Sequence, residues 1–324
     1  MVLLLLLYTF VVLLSFIFFI VYWKLIRPQK RFYDTFRSQG VPGEPFVPLV
    51  GQLSEMRRAS EKDAGIAYRM ELVQKYGYLY LTGFGPYIRL SVMEPDMIAD
   101  IFGRSHAQDY QKPTNIDKVF KSLIGVHNLL VSEGSEHERA RKMLNSAFHF
   151  VKLQSMVSVM VEETAKAINE LLLSSTQQKV IDLQRELNTL TLAIIASSAF
   201  GKGFETMANA KQIVCRAFTE VLEAIEYRTM RMIHQIPIIA QLPFWRKDVL
   251  DKGCREVSDF VDQIIADRRH GKSTSLCPGA DILDLLLSAV DAQGQPFTDQ
   301  EIKDHALAFA LAGHETTGNL MARA

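Results

Sequence analysis

Leu311-Ala312-Gly313-His314-Glu315-Thr316-Thr317-Gly318, near the end of a 324-residue chain, is an odd run for an apolar helix. Gly313 costs about 1 kcal/mol relative to alanine in a helix interior. The Thr316 hydroxyl can bond the carbonyl four residues back and bend the helix. Ala312, Gly313 and Thr316 lie three or four apart and share a face, so two nearly absent side chains flank one hydroxyl and leave a hollow against a flat ligand. Glu315, turned by about 100° from Thr316, can exchange protons with solvent and pass them to that hydroxyl. A kinked core helix without chemistry is the plain alternative. His314-Glu315 does not open a zinc-protease motif, because the position that must be the second histidine is Gly318.

Outward from this stretch the chain reads as helical. Thr298-Asp299-Gln300-Glu301 forms a capping box that opens a helix running from Ile302 to the end. Apolar residues recur with a 3.6-residue period through 156–173, 187–200, 210–232 and 249–268. Residues 236–245 are nearly all apolar but carry Pro237 and Pro243, which predicts a hydrophobic loop that lines a pocket, touches lipid or packs on its own domain. In 134–148, His137 and Arg141 are four apart on one helix face, and a guanidinium suits a carboxylate because it donates in a planar fork; a solvated charged turn is the bland reading. Alternation from Tyr78 around Gly83-Phe84-Gly85-Pro86 predicts a β-hairpin. The third glycine of a dinucleotide fingerprint is Ile88, so that motif fails. Pro42, Pro45 and Pro48 fix φ and remove donors, making a stiff linker.

The first 23 residues contain no charged side chain, no glycine and no proline. As a helix, 2–23 rises about 1.5 Å per residue, enough for a hydrocarbon core of roughly 30 Å. Lys24, Arg27, Lys30 and Arg31 follow at once, which predicts that the rest of the chain faces the cytosol. With 36 basic and 36 acidic residues the net charge is zero, against a nucleic-acid partner held through phosphates. Cys215, Cys254 and Cys277 are too few and too scattered for a disulfide framework or a zinc knuckle. The expected class is mainly α with a small β-sheet (α+β), divided into an anchor at 1–23, a basic stop and proline-rich hinge at 24–52, and a domain at 53–324 that carries the candidate chemistry.

From the anchor through the hinge, the hairpin, 134–148, Ala199-Phe200-Gly201 and the Ala312–Thr317 helix, the chain resembles the microsomal cytochromes P-450, membrane-anchored heme-thiolate monooxygenases. The resemblance implies that fold, heme b as cofactor, and insertion of one oxygen atom of O2 into an apolar organic substrate. Electrons would come from NADPH through a reductase, at the endoplasmic reticulum membrane, with the lipid as a further partner. It also implies that Arg141 holds a heme propionate, with His137 where the family usually has a tryptophan that contacts the same group. Ala312 and Gly313 would form the oxygen groove, and Glu315 with Thr316 would deliver protons to dioxygen. The family carries, after this helix, a Glu-x-x-Arg helix and a Phe-x-x-Gly-x-x-x-Cys loop whose thiolate ligates iron. This chain stops at Ala324. Cys277-Pro278-Gly279 does not match that loop, since His270 and Ser273 stand at its Phe and Gly positions, and Glu136-x-x-Arg139 matches the other motif by chance. Two expectations follow: an incomplete monooxygenase, or a membrane-anchored pseudoenzyme that binds or scaffolds.

Overall fold

The computed structural model describes residues 2–62, 64–103, 106, 109–113, 116–176, 180–201, 210–233, 237–277 and 279–323; Pro278 of the Cys277 stretch and Ile236 lie outside them. The chain divides into two compact units.

One unit comprises Met1–Tyr110 with Met230–Met232. Helix α1 (Val2–Val21) runs through a π-helical turn at Tyr22–Ile26 into α2 (Arg27–Ser38). Apart from the half-buried Val21, the described side chains of the uncharged run are exposed, and among the described residues one helix, Leu4–Ser38, is long and apolar enough to cross a membrane. Arg27 sits 3.8 Å from the centroid of the Trp23 ring, a cation–π contact at the end of the apolar run. Part of the expected hinge is therefore helical. Pro28 is accommodated because it directly follows the π-helical turn, where the Arg27 amide donates to the Tyr22 carbonyl five residues back and the regular ladder is already interrupted.

After α3 (Leu53–Glu61) and α4 (Gly65–Tyr76) come β1 (Leu79–Phe84) and β2 (Tyr87–Val92), paired antiparallel from Leu79↔Val92 to Phe84↔Tyr87, and then α5 (Pro95–Ile101). This is the hairpin expected from the alternation. The proline-rich linker does more than span. It lies along β1 and bonds it at both ends: Glu44 N donates to the Leu81 carbonyl at 2.9 Å and Gln52 N to the Gly83 carbonyl at 2.9 Å, while the Val50 and Gly51 amides bond within the linker. Contact is close enough that a Cβ on Gly51 or Gly83 would enter the other's backbone. Prolines keep this pairing to isolated bridges rather than a third strand.

The second unit comprises Gln111–Thr229 and Ile233–Ala324. It contains α6 (Ile116–Ile124), α7 (Gly134–Leu144), a 3₁₀ turn Asn145–Phe148, α8 (Phe150–Thr176), α9 (Leu183–Phe200) and α10 (Ala210–Thr229). It continues with α11 (Pro237–Gln241), α12 (Lys247–Arg269), α13 (Ile282–Ser288) and α14 (Asp299–Arg323). Phe200, Phe218, Val257, Leu283 and Ala306 lie in one buried cluster.

The expected loop at 236–245 contains a one-turn helix, α11, because Pro237 presets φ at its first position. The Ala240 carbonyl of α11 and the Phe244 and Trp245 carbonyls beyond it accept from the buried Arg228 guanidinium at 2.8, 3.3 and 3.1 Å. The Phe244 carbonyl also accepts from the Lys247 amide at 3.2 Å, so the guanidinium adds to the segment's own turn bonds and ties it to α10.

Candidate functional site

Helix α14 starts as its sequence predicts: Thr298 Oγ1 accepts from the Glu301 amide at 3.2 Å, and Glu301 Oε2 accepts from the Thr298 amide at 2.7 Å. Ties join α14 to α7 and to the segment that precedes it. Arg139 of α7 donates to Asp291 and to Glu301, each at 2.7 Å. Asp304, 1% exposed, accepts from the Val126 and His127 amides at 2.9 Å in the segment leading to α7. Gly125 (φ +69°) lets that segment approach, since a Cβ there would overlap the Asp304 carboxylate. Phe148 and Phe309 close the junction, with ring centroids 5.8 Å apart. Sequence reasoning passed over Arg139 and Asp304. Their signal was a guanidinium and a carboxylate at core-facing helix positions, which calls for partners.

On α14 the candidate residues separate by face. Ala312 and Thr316 are exposed, and the Thr316 hydroxyl donates to the Ala312 carbonyl at 2.6 Å, four residues back. Gly313 turns toward α9: a Cβ there would come within 2.6 Å of the Ile195 side chain, and one on Gly318 within 2.1 Å of Asn188 Oδ1. The two glycines let α14 and α9 approach closely, and Thr191 Oγ1 of α9 reaches the His314 carbonyl at 2.9 Å. Gly313 therefore has a packing partner, which the sequence reading of an open hollow did not foresee.

Glu315 is half-buried. Oε1 accepts from Asn319 Nδ2 at 3.2 Å, and Oε2 is buried without a hydrogen-bond partner. Burial pushes this carboxyl up, the Asn319 bond opposes that, and the charge of Glu223 adds to it. Glu315 and Thr316 are chain neighbours, yet each is bonded elsewhere: Glu315 to Asn319, Thr316 to Ala312. The Thr316 hydroxyl must leave the Ala312 carbonyl before it can donate its proton elsewhere, whereas Glu315 Oε2 carries no bond that a transfer would break.

On α7, Arg141 is exposed in the last turn and His137 lies half-buried one turn earlier. Burial first, then the charges of Lys112 and Arg141, lower the His137 pKa, with Glu138 and Glu133 acting the other way. Lys112, which sequence reasoning did not single out, anchors its ammonium on the Leu129 and Ser132 carbonyls at 3.2 and 2.7 Å. The three side chains form a donor-rich group.

The cysteines are free and buried. Cys215 lies 3.6 Å from His314 Nε2, and Cys277 donates to the Ser198 carbonyl at 3.7 Å. Burial raises all three thiols, Cys254 to about 11. Among the described residues no group of three or more His, Cys, Asp or Glu could hold a metal ion.

The chain is 25% identical over 324 residues to cytochrome P450 72A15 of Arabidopsis thaliana, covering 92% of this chain and 60% of that protein. It is 27% identical to the probable cytochrome P450 4e1 of Drosophila melanogaster, covering 93% and 56%. The retinoic acid-bound cyanobacterial CYP120A1 structure shares the fold, with a TM-score of 0.64 at 20% identity over 86% of this chain and 58% of that one. The chain thus spans three fifths or less of the length of these relatives. The cytochrome P450 family model matches residues 41–322, and with a mostly helical unit, a two-stranded sheet and an N-terminal apolar helix, the chain belongs to the cytochrome P450 family.

Proposed function

We propose that this chain supplies the membrane anchor and the dioxygen-side portion of a heme monooxygenase that oxidises an apolar organic substrate. The single observation that carries this is the family match over 41–322, which includes α14 with Glu315 and Thr316. Its heme, when bound, activates O2 with electrons that NADPH provides through a reductase. The donor set fits the rim of such a group: Arg141 offers a planar fork to a propionate, while His137, kept neutral, offers one N–H. The exposed Ala312 and Thr316 suit a flat macrocycle, presenting a methyl and one hydroxyl. Glu315 holds a proton more readily than an open carboxyl does, and Thr316, once released from the Ala312 carbonyl, can pass one on.

The three thiols do not fit as iron ligands, because each is packed inside the fold and burial keeps it protonated. A second reading, in which these residues need supply no iron ligand, is a membrane-anchored binding or scaffold protein. One measurement separates the two: the spectrum of the reduced, carbon monoxide-treated protein. The 324-residue chain should show no red-shifted thiolate band, whereas the same chain extended by a family-type cysteine segment should show one. A band from the chain alone would overturn the assignment of the cysteines, and its absence from the extended chain would leave the scaffold reading.

The domain division into 1–23, 24–52 and 53–324 belongs to the same proposal, as does a location in the endoplasmic reticulum membrane with residues after Lys24 in the cytosol. The uncharged run and its basic flank support that orientation. Protease added to sealed microsomes should digest the large domain without detergent; a domain that survives until detergent is added would reverse the orientation.

A further inference from the structure

His314 is the least explained residue of α14. Its side chain is fully buried, yet Nδ1 has no hydrogen-bond partner, and 3.6 Å away lies Glu315 Oε2, likewise buried and unpartnered. On its other edge Nε2 stands 3.6 Å from Cys215 Sγ of α10, and the ring centroid is 5.7 Å from that of Phe218. Two unpaired buried polar atoms facing one another are rare in folded proteins and call for an explanation.

We propose that His314 is a positioning residue for Glu315: held between Cys215 and Glu315, it presents an Nδ1–H to Oε2 and controls when that carboxyl gains or loses its proton. This rests on the reading of Glu315 as the proton carrier. The tautomer follows from the partners. An Nδ1–H leaves Nε2 to accept from the Cys215 thiol, whose other neighbour, Thr189 Oγ1, lies at 3.7 Å and already bonds the Arg185 carbonyl at 2.9 Å. Burial holds the imidazole pKa near 4, so it is neutral and carries one N–H. Closing the gap by roughly half an ångström, through a small turn of the Glu315 side chain, brings Nδ1 and Oε2 within bonding distance.

The charged surroundings are known on each side. From α14 itself, Asn319 donates to Oε1 and in turn accepts from Gln184 of α9 at 2.9 Å. From α10, the Glu223 carboxylate opposes ionisation of Glu315. From α9, Arg185 and Glu186 act on the Cys215 thiol in opposite senses. Among these groups, His314 is the donor placed at Oε2.

The test is a pH titration of the Glu315 carboxyl by infrared spectroscopy, on the full chain without added heme. The band is assigned by its loss in Glu315→Gln. His314→Asn places an amide near the Nδ1 position, whereas His314→Gln places it near Nε2 and His314→Leu offers neither. A hydrogen bond to a charged group corresponds to about one to two pH units, so the midpoint should rise by at least tenfold in proton affinity in His314→Leu and His314→Gln. It should stay near the wild-type value in His314→Asn. Equal midpoints in His314→Asn and His314→Gln would overturn the proposal, and that comparison holds even if the leucine variant fails to fold. The functional reading fails separately, if Glu315→Gln leaves product formation by the cysteine-extended enzyme unchanged.

Discussion

Replacing Arg268 with alanine should destabilise the folded chain by about 3–5 kcal/mol and lower Tm by on the order of 10 °C. Arg268 lies at the end of α12 and grips Asp281 through both carboxylate oxygens, at 2.9 and 2.8 Å; it also bonds Asp284 and the Phe200 carbonyl. The side chain of Asp281 is fully buried and caps α13, accepting from the Asp284 amide at 2.9 Å. Gly201 (φ +66°) ends α9 and leaves room for the guanidinium, since a Cβ there would stand 2.8 Å from an Arg268 nitrogen. Removing the arginine strands a buried carboxylate and a buried carbonyl where α9, α12 and α13 meet. Arg216→Ala is the control, because its pair with Glu256 is half exposed and worth less than about 1 kcal/mol. Thermal melts of the full chain followed by circular dichroism measure both. A loss for Arg268→Ala no larger than that for Arg216→Ala would show that the buried pair contributes no more than a surface one.

Arg268 also marks where sequence reading stopped. Periodicity placed α8, α9, α10 and α12, and the capping box placed the start of α14, because those signals are local and repeat every turn. The hairpin was readable for the same reason. The linker's pairing with β1 was not, since it depends on amides at Glu44 and Gln52 meeting a strand some thirty to forty residues away. Nor were the partners of Arg139, Arg228, Arg268 and Asp304, each a charged side chain whose burial is set by distant elements. At the candidate site the motif gave the residue types but not their aim. It did not foretell that Gly313 meets Ile195, that the Glu315 carboxylate bonds Asn319, or that His314 faces Cys215.

Thr316→Ala should change chemistry rather than stability. Thr316 is exposed, and among the described residues its hydroxyl bonds the Ala312 carbonyl at 2.6 Å. Alanine forms helix better than threonine by up to about 0.7 kcal/mol, so the variant should melt at the wild-type temperature or slightly above it. If the hydroxyl serves only to bond its own helix, nothing else changes. If it carries protons from Glu315, the chain extended by a family-type cysteine segment should lose coupling. Positioned acid catalysis contributes roughly 10²–10⁴-fold, and even partial replacement by water leaves a fall on the order of tenfold in product formed per NADPH consumed. The missing electrons should appear as hydrogen peroxide. Thr316→Ser, which keeps the oxygen and drops the methyl, should restore most of the coupling, whereas Thr316→Val, which keeps the shape and drops the oxygen, should not. Peroxide and product measured per NADPH across the three variants, alongside their melting temperatures, decide between the two roles. A well-folded Thr316→Ala enzyme with wild-type coupling would confine Thr316 to bending its helix, and proton delivery from Glu315 would then have to run through water.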